Sequence, residues 1–595
     1  MALDSYSSLC NDIYQDISQK MERHDDAAYK FAPKGLAGEV LNKQVLRQLY
    51  RSLVECIPIG QQPPSITEDE FIDRVEKRKL QKFIAILVFA TCPLEAMALF
   101  IAQLVAQNAW PLKSPHGTPL GTLPASRRDL DFFFHDPVTV DKFFNHQIYF
   151  CTVVILRGTE TKVTHPALQR LPYLEKPREI GRGSFGIVYK VRVAKRHFFD
   201  PSDATENTEI KEMARKDYIM KADRPWMERD ILDTVLNNSA GRCKNILQSL
   251  GSIQIENTYS LFMELGDHDL DDYMTNLHTT APNTIQKAEL IRCAAGLASG
   301  LDFLHTKLRS RDNAELVCYH MDLKPSNILI SRDATRGGDS QIWKLSDFGM
   351  ARVKIKRSIY NIESEGDFNR LFKPQDPPSN PTASATLNKR AAGTYLAPES
   401  VSSTPKMKAS SDIWSLGCII SVLFVYLDAG KTNLEPYSDE RANRSQSEGC
   451  GDYDRFFLYS RQITSIKRHP VVSEWHKKVV KNAGETDKTE AEIIRTVLSY
   501  VEKSVLQIQQ DMRVTAEQVQ KVLERAYNLY RDLEKQRGAE SQQNNNAALG
   551  RRIPFWERLW SKYGSASVLF NSSNRKRSGL SYHMDQDADM SIQAS

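Results

Sequence analysis

The chain has 595 residues, of which 41% are hydrophobic and 26% are charged, proportions that are ordinary for a folded globular protein. This composition excludes a chain that is disordered throughout, a collagen-like repeat and a small disulfide scaffold. The 79 basic and 74 acidic residues leave a formal net charge of +5, which gives no reason to expect a nucleic-acid partner. None of the nine cysteines lies in a C-x-x-C pair, so we expect a reducing, cytoplasmic location.

Residues 1–172 are predicted to form a mostly helical region. Apolar side chains recur at helical spacing from Ala37 to Cys56, which predicts helical structure there. Thr67 and Glu70 have the spacing of a capping box, which predicts that the next helix begins at this point. The region contains no catalytic constellation and no internal repeat, and the sequence does not identify its partner.

An apolar segment from Phe83 to Leu104 is long enough to span a bilayer. Pro93 and Glu95 interrupt its middle, and a carboxylate within a membrane is energetically costly. We therefore expect a pair of buried core helices rather than a membrane span, and no membrane partner.

The first motif with chemical content is rich in glycine. Gly181, Gly183, Gly186 and Val188 form the pattern G-x-G-x-x-G-x-V. A dinucleotide-binding fold would need a helix directly after these glycines, but residues 187–193 alternate like a strand. A strand–glycine–strand hairpin is therefore favoured, in which the missing side chains let the backbone approach phosphate groups closely.

Three further motifs follow in order. Residues 320–327 read HMDLKPSN, residues 347–349 read DFG, and residues 397–399 read APE. The first matches H-R-D-L-x-x-x-N at every fixed position except the arginine, which is replaced by Met321. With the glycine motif, this ordered set resembles the eukaryotic protein kinase family, and Lys324 resembles that of the serine/threonine branch.

The resemblance implies the fold class and the division of the chain into domains. It implies an α+β, two-lobed protein kinase fold over residues 173–530, preceded by the helical region and followed by a low-complexity, disordered tail at 531–595. The overall arrangement is similar to multidomain kinases of filamentous fungi. Three basic residues at 575–577 leave a nuclear location open beside the cytoplasmic one. Polar insertions are expected near residues 196–208, 354–388 and 428–452.

The resemblance also implies a reaction, the transfer of the ATP γ-phosphate to hydroxyl groups of a protein substrate with Mg²⁺ as cofactor. Asp322 would orient the substrate hydroxyl and accept its proton, and Lys324 would lie beside the transferring phosphate. Asn327 and Asp347 are oxygen ligands of the kind that Mg²⁺ prefers. The remaining expected nucleotide contacts are the glycine motif with Val188, the gatekeeper Met263, and the hinge residues Glu264 and Leu265.

The nucleotide-binding lysine has two candidates. The sequence before Lys216 keeps the family's alanine two positions earlier, whereas the sequence before Lys211 keeps only an isoleucine. Lys216 is favoured, because a small residue would then face the adenine pocket. In either case the lysine is expected to pair with Glu228 on the next helix.

Two more positions are expected to be structural. Asp412 matches the acid that holds the catalytic-loop backbone, and Arg513 matches the arginine that pairs with the A-P-E glutamate, Glu399. Because Met321 cannot bind a phosphate, we also expect weak dependence on phosphorylation of the loop between the DFG and APE motifs.

The sequence leaves alternatives to an active protein kinase open. The family's usual threonine position before the APE motif is Ala392, and it stays open whether Thr394 can take its role. The unusual sequence around Lys216 and this alanine motivate a second hypothesis, a pseudokinase or scaffold that binds partners without catalysis. A kinase that acts on a small molecule is a third.

Overall fold

The computed structural model describes residues 2–23, 29–57, 66–108, 110–183, 186–201, 209–219, 243–309, 315–333, 335–337, 340–348, 351–355, 393–401, 407–459 and 466–543. The longer helices are α1 (Ala2–Lys20), α2 (Leu36–Val40), α3 (Lys43–Cys56), α4 (Glu68–Lys77), α5 (Gln81–Phe89), α6 (Leu94–Phe100), α7 (Arg127–Phe134), α8 (Pro137–His146), α9 (Thr284–Asp302), α10 (Ala409–Ala429), α11 (Leu434–Ser447), α12 (Pro470–Thr486), α13 (Lys488–Tyr500) and α14 (Ala516–Gln543).

The strands divide between several sheets. They are β1 (Glu22–Arg23), β2 (Lys30–Phe31), β3 (Ile155–Leu156), β4 (Glu160–Val163), β5 (Arg178–Gly183), β6 (Gly186–Val193), β7 (Phe198–Phe199), β8 (Lys211–Ile219), β9 (Ser249–Ile255), β10 (Thr258–Met263), β11 (His268–Asp269), β12 (Leu316–Tyr319), β13 (Ile328–Arg332), β14 (Gln341–Leu345), β15 (Arg352–Ile355), β16 (Phe457–Leu458) and β17 (Lys467–Arg468).

Helices α1 to α8 form a block with its own apolar core. The predicted capping box is confirmed, because the Thr67 side chain accepts from the Glu70 amide and the Thr67 amide donates to Glu70 Oε2 at 2.8 Å. The helical structure predicted over residues 37–56 is confirmed. It is divided into α2 and α3, because the Asn42 side chain accepts the amides of Gln44 and Val45 and so starts a new helix.

The apolar segment that begins at Phe83 forms two helices, as predicted. Residues 83–89 of α5 are all buried, and Pro93 precedes α6, where it starts a second helix with Met97 and Phe100 in the core. Elsewhere, the helical stretch Ala409–Ser447 is long and apolar enough to cross a membrane by length and composition, and 89% of its most apolar window is buried inside the protein.

A six-stranded sheet, in the order β4-β9-β10-β8-β6-β5, forms the smaller lobe. Its edge strand β4 comes from the N-terminal region and pairs in parallel with β9, so this region is not helical throughout. Residues of the same segment, including Val153, Ile155 and Val163, share a buried apolar cluster with Phe262 and other side chains of the sheet. The N-terminal region is therefore joined to the smaller lobe through backbone pairing and through a shared core.

The imidazole of His197 joins the two regions at a buried seam. Its Nε2 accepts the Lys34 amide at 2.9 Å, and its Nδ1 lies 2.9 Å from the Val153 carbonyl oxygen. Because Nε2 accepts, Nδ1 carries the proton and donates to Val153. Burial lowers the pKa of His197 to about 4, so the ring is neutral at pH 7.

The larger lobe is mainly helical and is organised around α10, which is buried from Ser411 to Leu427. Helix α14 packs along α9 and continues past Tyr530, where the kinase domain was predicted to end. The Arg537 guanidinium donates to Asp487 Oδ2 at 2.7 Å and to Glu490 Oε2 at 3.1 Å. The helix therefore extends to Gln543, and its ion pairs, which the sequence pattern did not reveal, attach residues beyond 530 to the lobe.

The polar insertion expected at 428–452 is not a surface loop. It contains α11, and two of that helix's residues, Tyr437 and Arg441, are only 1% and 2% exposed. This burial could not be predicted from the polar sequence. Arg441 is buried because its guanidinium donates hydrogen bonds to backbone carbonyls, and such bonds leave no apolar pattern in the sequence. Of the insertion expected at 354–388, only residues 354 and 355 are described, in β15, and of the one at 196–208, residues 202–208 lie outside the described ranges.

Candidate active site

The segment that carries Asp322 begins where β12 ends at Tyr319. The two residues after the strand are fixed by Asp412 of α10, whose carboxylate accepts the amides of His320 and Met321, each at 2.9 Å. His305 also contacts this carboxylate at 2.9 Å. The predicted role of Asp412 in holding this backbone is confirmed. Met321 has a left-handed backbone, with φ of 69°, which is strained for a side chain of its size.

The carboxylate of Asp322 lies within hydrogen-bond distance of two predicted site residues. Lys324 Nζ donates to Asp322 Oδ2 at 2.9 Å, and Asn327 Nδ2 donates to the same oxygen at 3.0 Å and to the Asp322 carbonyl at 2.7 Å. The side chains of Asp322 and Lys324 are 31% and 34% exposed. This carboxylate is therefore oriented by two donors and still open to solvent.

Hydrogen bonds of the preceding residue, Ser346, connect Asp347 to this cluster. The Ser346 amide and hydroxyl both donate to the Asn327 carbonyl, at 3.0 and 2.8 Å, and a ring nitrogen of His320 lies 2.8 Å from the Ser346 carbonyl. Asp347 itself has φ of 55°. The structure thus brings the HMDLKPSN and DFG segments together and places a strained acidic residue at their junction, as is common at functional sites.

Lys216 reaches Asp347 from the other lobe. Its Nζ donates to Asp347 Oδ1 at 2.8 Å, and Lys216 is 7% exposed. Lys211 lies on the same strand at an odd number of positions from Lys216, so its side chain points to the opposite face. Its Nζ is 4.9 Å from the centre of the Phe198 ring. The structure therefore brings Lys216 into the site and leaves Lys211 out.

The register of the sheet places the expected adenine-facing residues next to each other. Ala214 pairs with Met263, and Lys216 pairs with Leu261 and Val188. Met263 is 9% exposed at the end of β10. The small alanine two positions before Lys216 therefore lies beside the expected gatekeeper, in line with the preference for Lys216.

The glycines of the motif lie on the paired strands β5 and β6, with Gly181 opposite Val188 and Gly183 opposite Gly186. At Gly186, φ is 151° and a Cβ atom would lie 2.2 Å from the Asp217 carbonyl oxygen of β8. This glycine is thus required by the close approach of a neighbouring strand, a reason that the sequence analysis missed.

The expected hinge residues Glu264 and Leu265 follow β10 directly. Glu264 forms an ion pair with Lys344 of β14, which links the hinge to the larger lobe. A cavity of about 390 Å³ adjoins both hinge residues, and Arg157 of the N-terminal region lines it as well. Lys216, Asp322 and Asp347 do not line this cavity, so it lies beside the predicted nucleotide site and is not part of it.

Glu399 and Arg513 form the predicted pair, which is confirmed. Both guanidinium NH groups donate to the carboxylate at 2.8 Å, and Ser411 Oγ donates to it at 2.6 Å. Burial alone would raise the pKa of Glu399, but the hydrogen bonds from Arg513 and Ser411 outweigh it and lower the pKa. The expected lysine partner Glu228 and the position Ala392 lie outside the described residues.

Comparison with known families decides what these motifs belong to. The sequence model of the family described as "Protein kinase domain" matches residues 174–522, which is more than half of the chain. The chain belongs to the protein kinase family. The predicted α+β, two-lobed fold with a preceding helical region is confirmed.

Curated relatives agree with this assignment at low identity. The "Cyclin-dependent kinase 4 homolog" of Caenorhabditis elegans is 25% identical over 271 residues, which cover 44% of this chain and 52% of that protein. "Serine/threonine-protein kinase BCK1/SLK1/SSP31" of Saccharomyces cerevisiae is 27% identical over 270 residues, 44% of this chain and 14% of the relative. "Probable serine/threonine-protein kinase PBL20" of Arabidopsis thaliana is 25% identical over 243 residues, 41% and 50% of the two chains. The chain thus spans about half or less of the length of these relatives.

The donor set of this kinase domain fits a magnesium ion held together with phosphate oxygens. The described residues contain no group of three or more His, Cys, Asp or Glu side chains that could hold a metal by themselves. Mg²⁺ is commonly bound by one or two protein oxygens plus phosphates and water. Because the Asn327 amide nitrogen donates to Asp322, its amide oxygen is the atom suited to ligate a cation, together with the Asp347 carboxylate.

Sequence reasoning missed the residues that connect the site. Ser346, Lys344 and His305 each make a contact that orients a predicted functional segment or the hinge. Ser346 directly precedes the DFG motif and could have been found by that adjacency. Lys344 and His305 carry no local signal, because their partners are distant in sequence.

Proposed function

We propose that this protein is a serine/threonine protein kinase that uses ATP and Mg²⁺ and acts on protein substrates. The observation that carries the proposal is the orientation of the Asp322 carboxylate by Lys324 and Asn327, with distances of 2.9 and 3.0 Å. A general base must be held close to the proton that it accepts. The Lys324 position and the names of the yeast and Arabidopsis relatives support the serine/threonine branch.

In the proposed mechanism, the charged residues of the site act on the substrate hydroxyl and on the phosphates. Asp322 orients the substrate hydroxyl and accepts its proton while the γ-phosphate is transferred, and Lys324 lies beside Asp322 to offset the phosphate charge. Asn327 and Asp347 would hold Mg²⁺, which would supply positive charge to neutralise the phosphates. Lys216 contacts the nucleotide phosphates, at the expense of its present ion pair with Asp347.

The nucleotide is held between the lobes in this proposal. The glycine hairpin at 181–186 with Val188 covers the phosphates, and Met263 with the hinge backbone of Glu264 and Leu265 faces the adenine. The ion pair between Glu264 and Lys344 supports this site by fixing the hinge to the larger lobe.

A second candidate is a pseudokinase or scaffold. The Lys216–Asp347 ion pair favours it, because a direct contact of 2.8 Å between these groups satisfies both charges without a nucleotide. In that case the fold would bind partners and transfer no phosphate.

The two candidates are separated by ADP production and phosphorylation of a generic substrate, myelin basic protein, with the full chain. Asp322→Asn keeps the side-chain shape and removes the base, and it should lower the rate by at least about 100-fold. Asp131→Ala, at an exposed aspartate of α7, is the matched control and should keep the rate. Equal rates for wild type and Asp322→Asn would exclude catalysis by this site, and an inactive wild type would favour the pseudokinase.

A further inference from the structure

Three consecutive residues before the APE motif, 393–395, each lie close to one residue of the segment 454–456. Thr394 Oγ1 donates to Asp454 Oδ1, and the rings of Tyr395 and Phe456 lie 6.2 Å apart. Gly393 has φ of 102°, and a Cβ there would lie 3.5 Å from the Arg455 guanidinium. Residues 393–395, called the pre-APE loop below, thus lie directly on residues 454–456.

Asp454 is itself anchored by α11. Its second carboxylate oxygen accepts from Ser438 Oγ at 2.7 Å and lies 3.8 Å from Arg441, and its carbonyl accepts from Arg441 Nε at 2.9 Å. Thr394, Asp454 and Arg441 are 4%, 6% and 2% exposed. The hydrogen bonds of this unit are therefore protected from competition with water.

Arg441 has few ways to move within this unit. Its guanidinium carbon lies 4.0 Å from the centre of the Tyr437 ring and 4.4 Å from that of Phe456, and its NH1 donates to the Tyr437 carbonyl at 3.0 Å. A buried cation between two aromatic faces is stabilised by both rings. If Asp454 moved away, the buried charge of Arg441 would be left uncompensated. Arg441 therefore stabilises Asp454 in its present position.

Helix α10 and the APE motif add further contacts that fix the loop. Ser415 Oγ of α10 donates to the Tyr395 carbonyl at 2.8 Å. A few residues later, Glu399 is bound by Arg513. The pre-APE loop therefore contacts both the buried helix α10 and Asp454. The pair of Glu399 and Arg513 fixes the chain just after the loop.

We propose that Thr394 and Asp454 are positioning residues, which hold the pre-APE loop in the conformation that docks the protein substrate, and that α11 fixes Asp454 for this purpose. The proposal rests on the proposed function. Both residues would act through the loop, because the Thr394 hydroxyl is bonded to Asp454 and both side chains are buried.

The first test compares steady-state kinetics of full-length variants with myelin basic protein and ATP varied separately. Thr394→Val keeps the side-chain shape and removes the hydroxyl, and it should raise the KM for the protein about tenfold while the KM for ATP stays within twofold. Thr394→Ser, which keeps the hydroxyl, should restore the wild-type KM. Thr432→Val, at an exposed threonine of the same lobe, should change neither. An unchanged protein KM, or an equal rise in the ATP KM, would overturn the proposal.

The second test does not need activity. Hydrogen–deuterium exchange of the amides in residues 393–401 should be at least about tenfold faster in Thr394→Val and Asp454→Asn than in wild type and Thr394→Ser, without nucleotide. Equal exchange in all four proteins would overturn the positioning role. If the wild type transfers no phosphate, the proposed function fails, and the exchange result still decides whether Thr394 and Asp454 hold the loop.

Discussion

The seam at His197 makes the stability of this protein sensitive to acid. The pKa of His197 is about 4 in the folded chain because of burial, against roughly 6.5 for an exposed histidine. Between these values the unfolded chain binds more protons than the folded chain, so stability falls with falling pH. The contribution is complete above about pH 6.5 and is lost as the pH falls toward 4.

The size of the effect follows from the two pKa values. At pH 5 nearly every unfolded chain carries the proton and few folded chains do, which corresponds to a loss of about 2 kcal/mol. At pH 4 the loss is about 3 kcal/mol, close to the limit set by the difference between the two pKa values. The folded chain takes up the proton only at low pH, since a protonated Nε2 would be a donor facing the Lys34 amide.

His197→Gln is the matched variant for this prediction. A glutamine amide can donate to the Val153 carbonyl and accept from the Lys34 amide, and it does not titrate. Burial also lowers the pKa of His469 to about 4, but that group is the same in both proteins and cancels in the comparison. Urea denaturation followed by tryptophan fluorescence at pH 7 and pH 5 measures the difference.

We expect the wild type to lose about 2 kcal/mol more than His197→Gln between pH 7 and pH 5. The two proteins should differ least at pH 7, where His197 is neutral in both the folded and the unfolded state. Parallel losses in the two proteins would refute the reasoning, because the acid sensitivity would then come from other groups.

Three further predictions concern the kinase domain. Lys216→Met should abolish phosphate transfer to myelin basic protein, whereas Lys211→Met, on the opposite face of β8, should retain most of it; loss only in Lys211→Met would reverse the assignment of the lysine. Arg513→Leu should lower the free energy of unfolding by about 3–5 kcal/mol, because the buried Glu399 carboxylate would lose its partner; a urea midpoint close to that of the wild type would contradict this. Phosphatase treatment should change activity little, because Met321 replaces the arginine that would bind a phosphate, and a loss above tenfold would disprove it.

Local features of the fold were predictable from the sequence. The capping box at Thr67 and the break at Pro93 depend on neighbouring residues, and both have the predicted effect. The parallel pairing of β4 with β9 was not predictable, since Glu160 and Ser252 are far apart in the chain and neither has a local signal. The burial of Arg441 was hidden for the same reason, because its partners are backbone carbonyls and aromatic faces.

The candidate site divides in the same way. Asp322, Asn327 and Asp347 could be found because phosphate transfer needs these residue types in a fixed order. The choice of Lys216 depended on one neighbouring alanine, and the strand register explains it, since Ala214 and Lys216 share a face. The hydrogen bonds from Ser346 to Asn327 and from Thr394 to Asp454 could not be predicted, because they join residues that come together only when the larger lobe folds.

The central claim is that this chain transfers the γ-phosphate of ATP to serine or threonine hydroxyls through Asp322. It is tested most directly by incubating the full chain with γ-labelled ATP and myelin basic protein, hydrolysing the product and separating the phosphoamino acids. We predict labelled phosphoserine or phosphothreonine with the wild type and at least about 100-fold less with Asp322→Asn. Equal labelling by the two proteins, or label in phosphotyrosine alone, would contradict the claim.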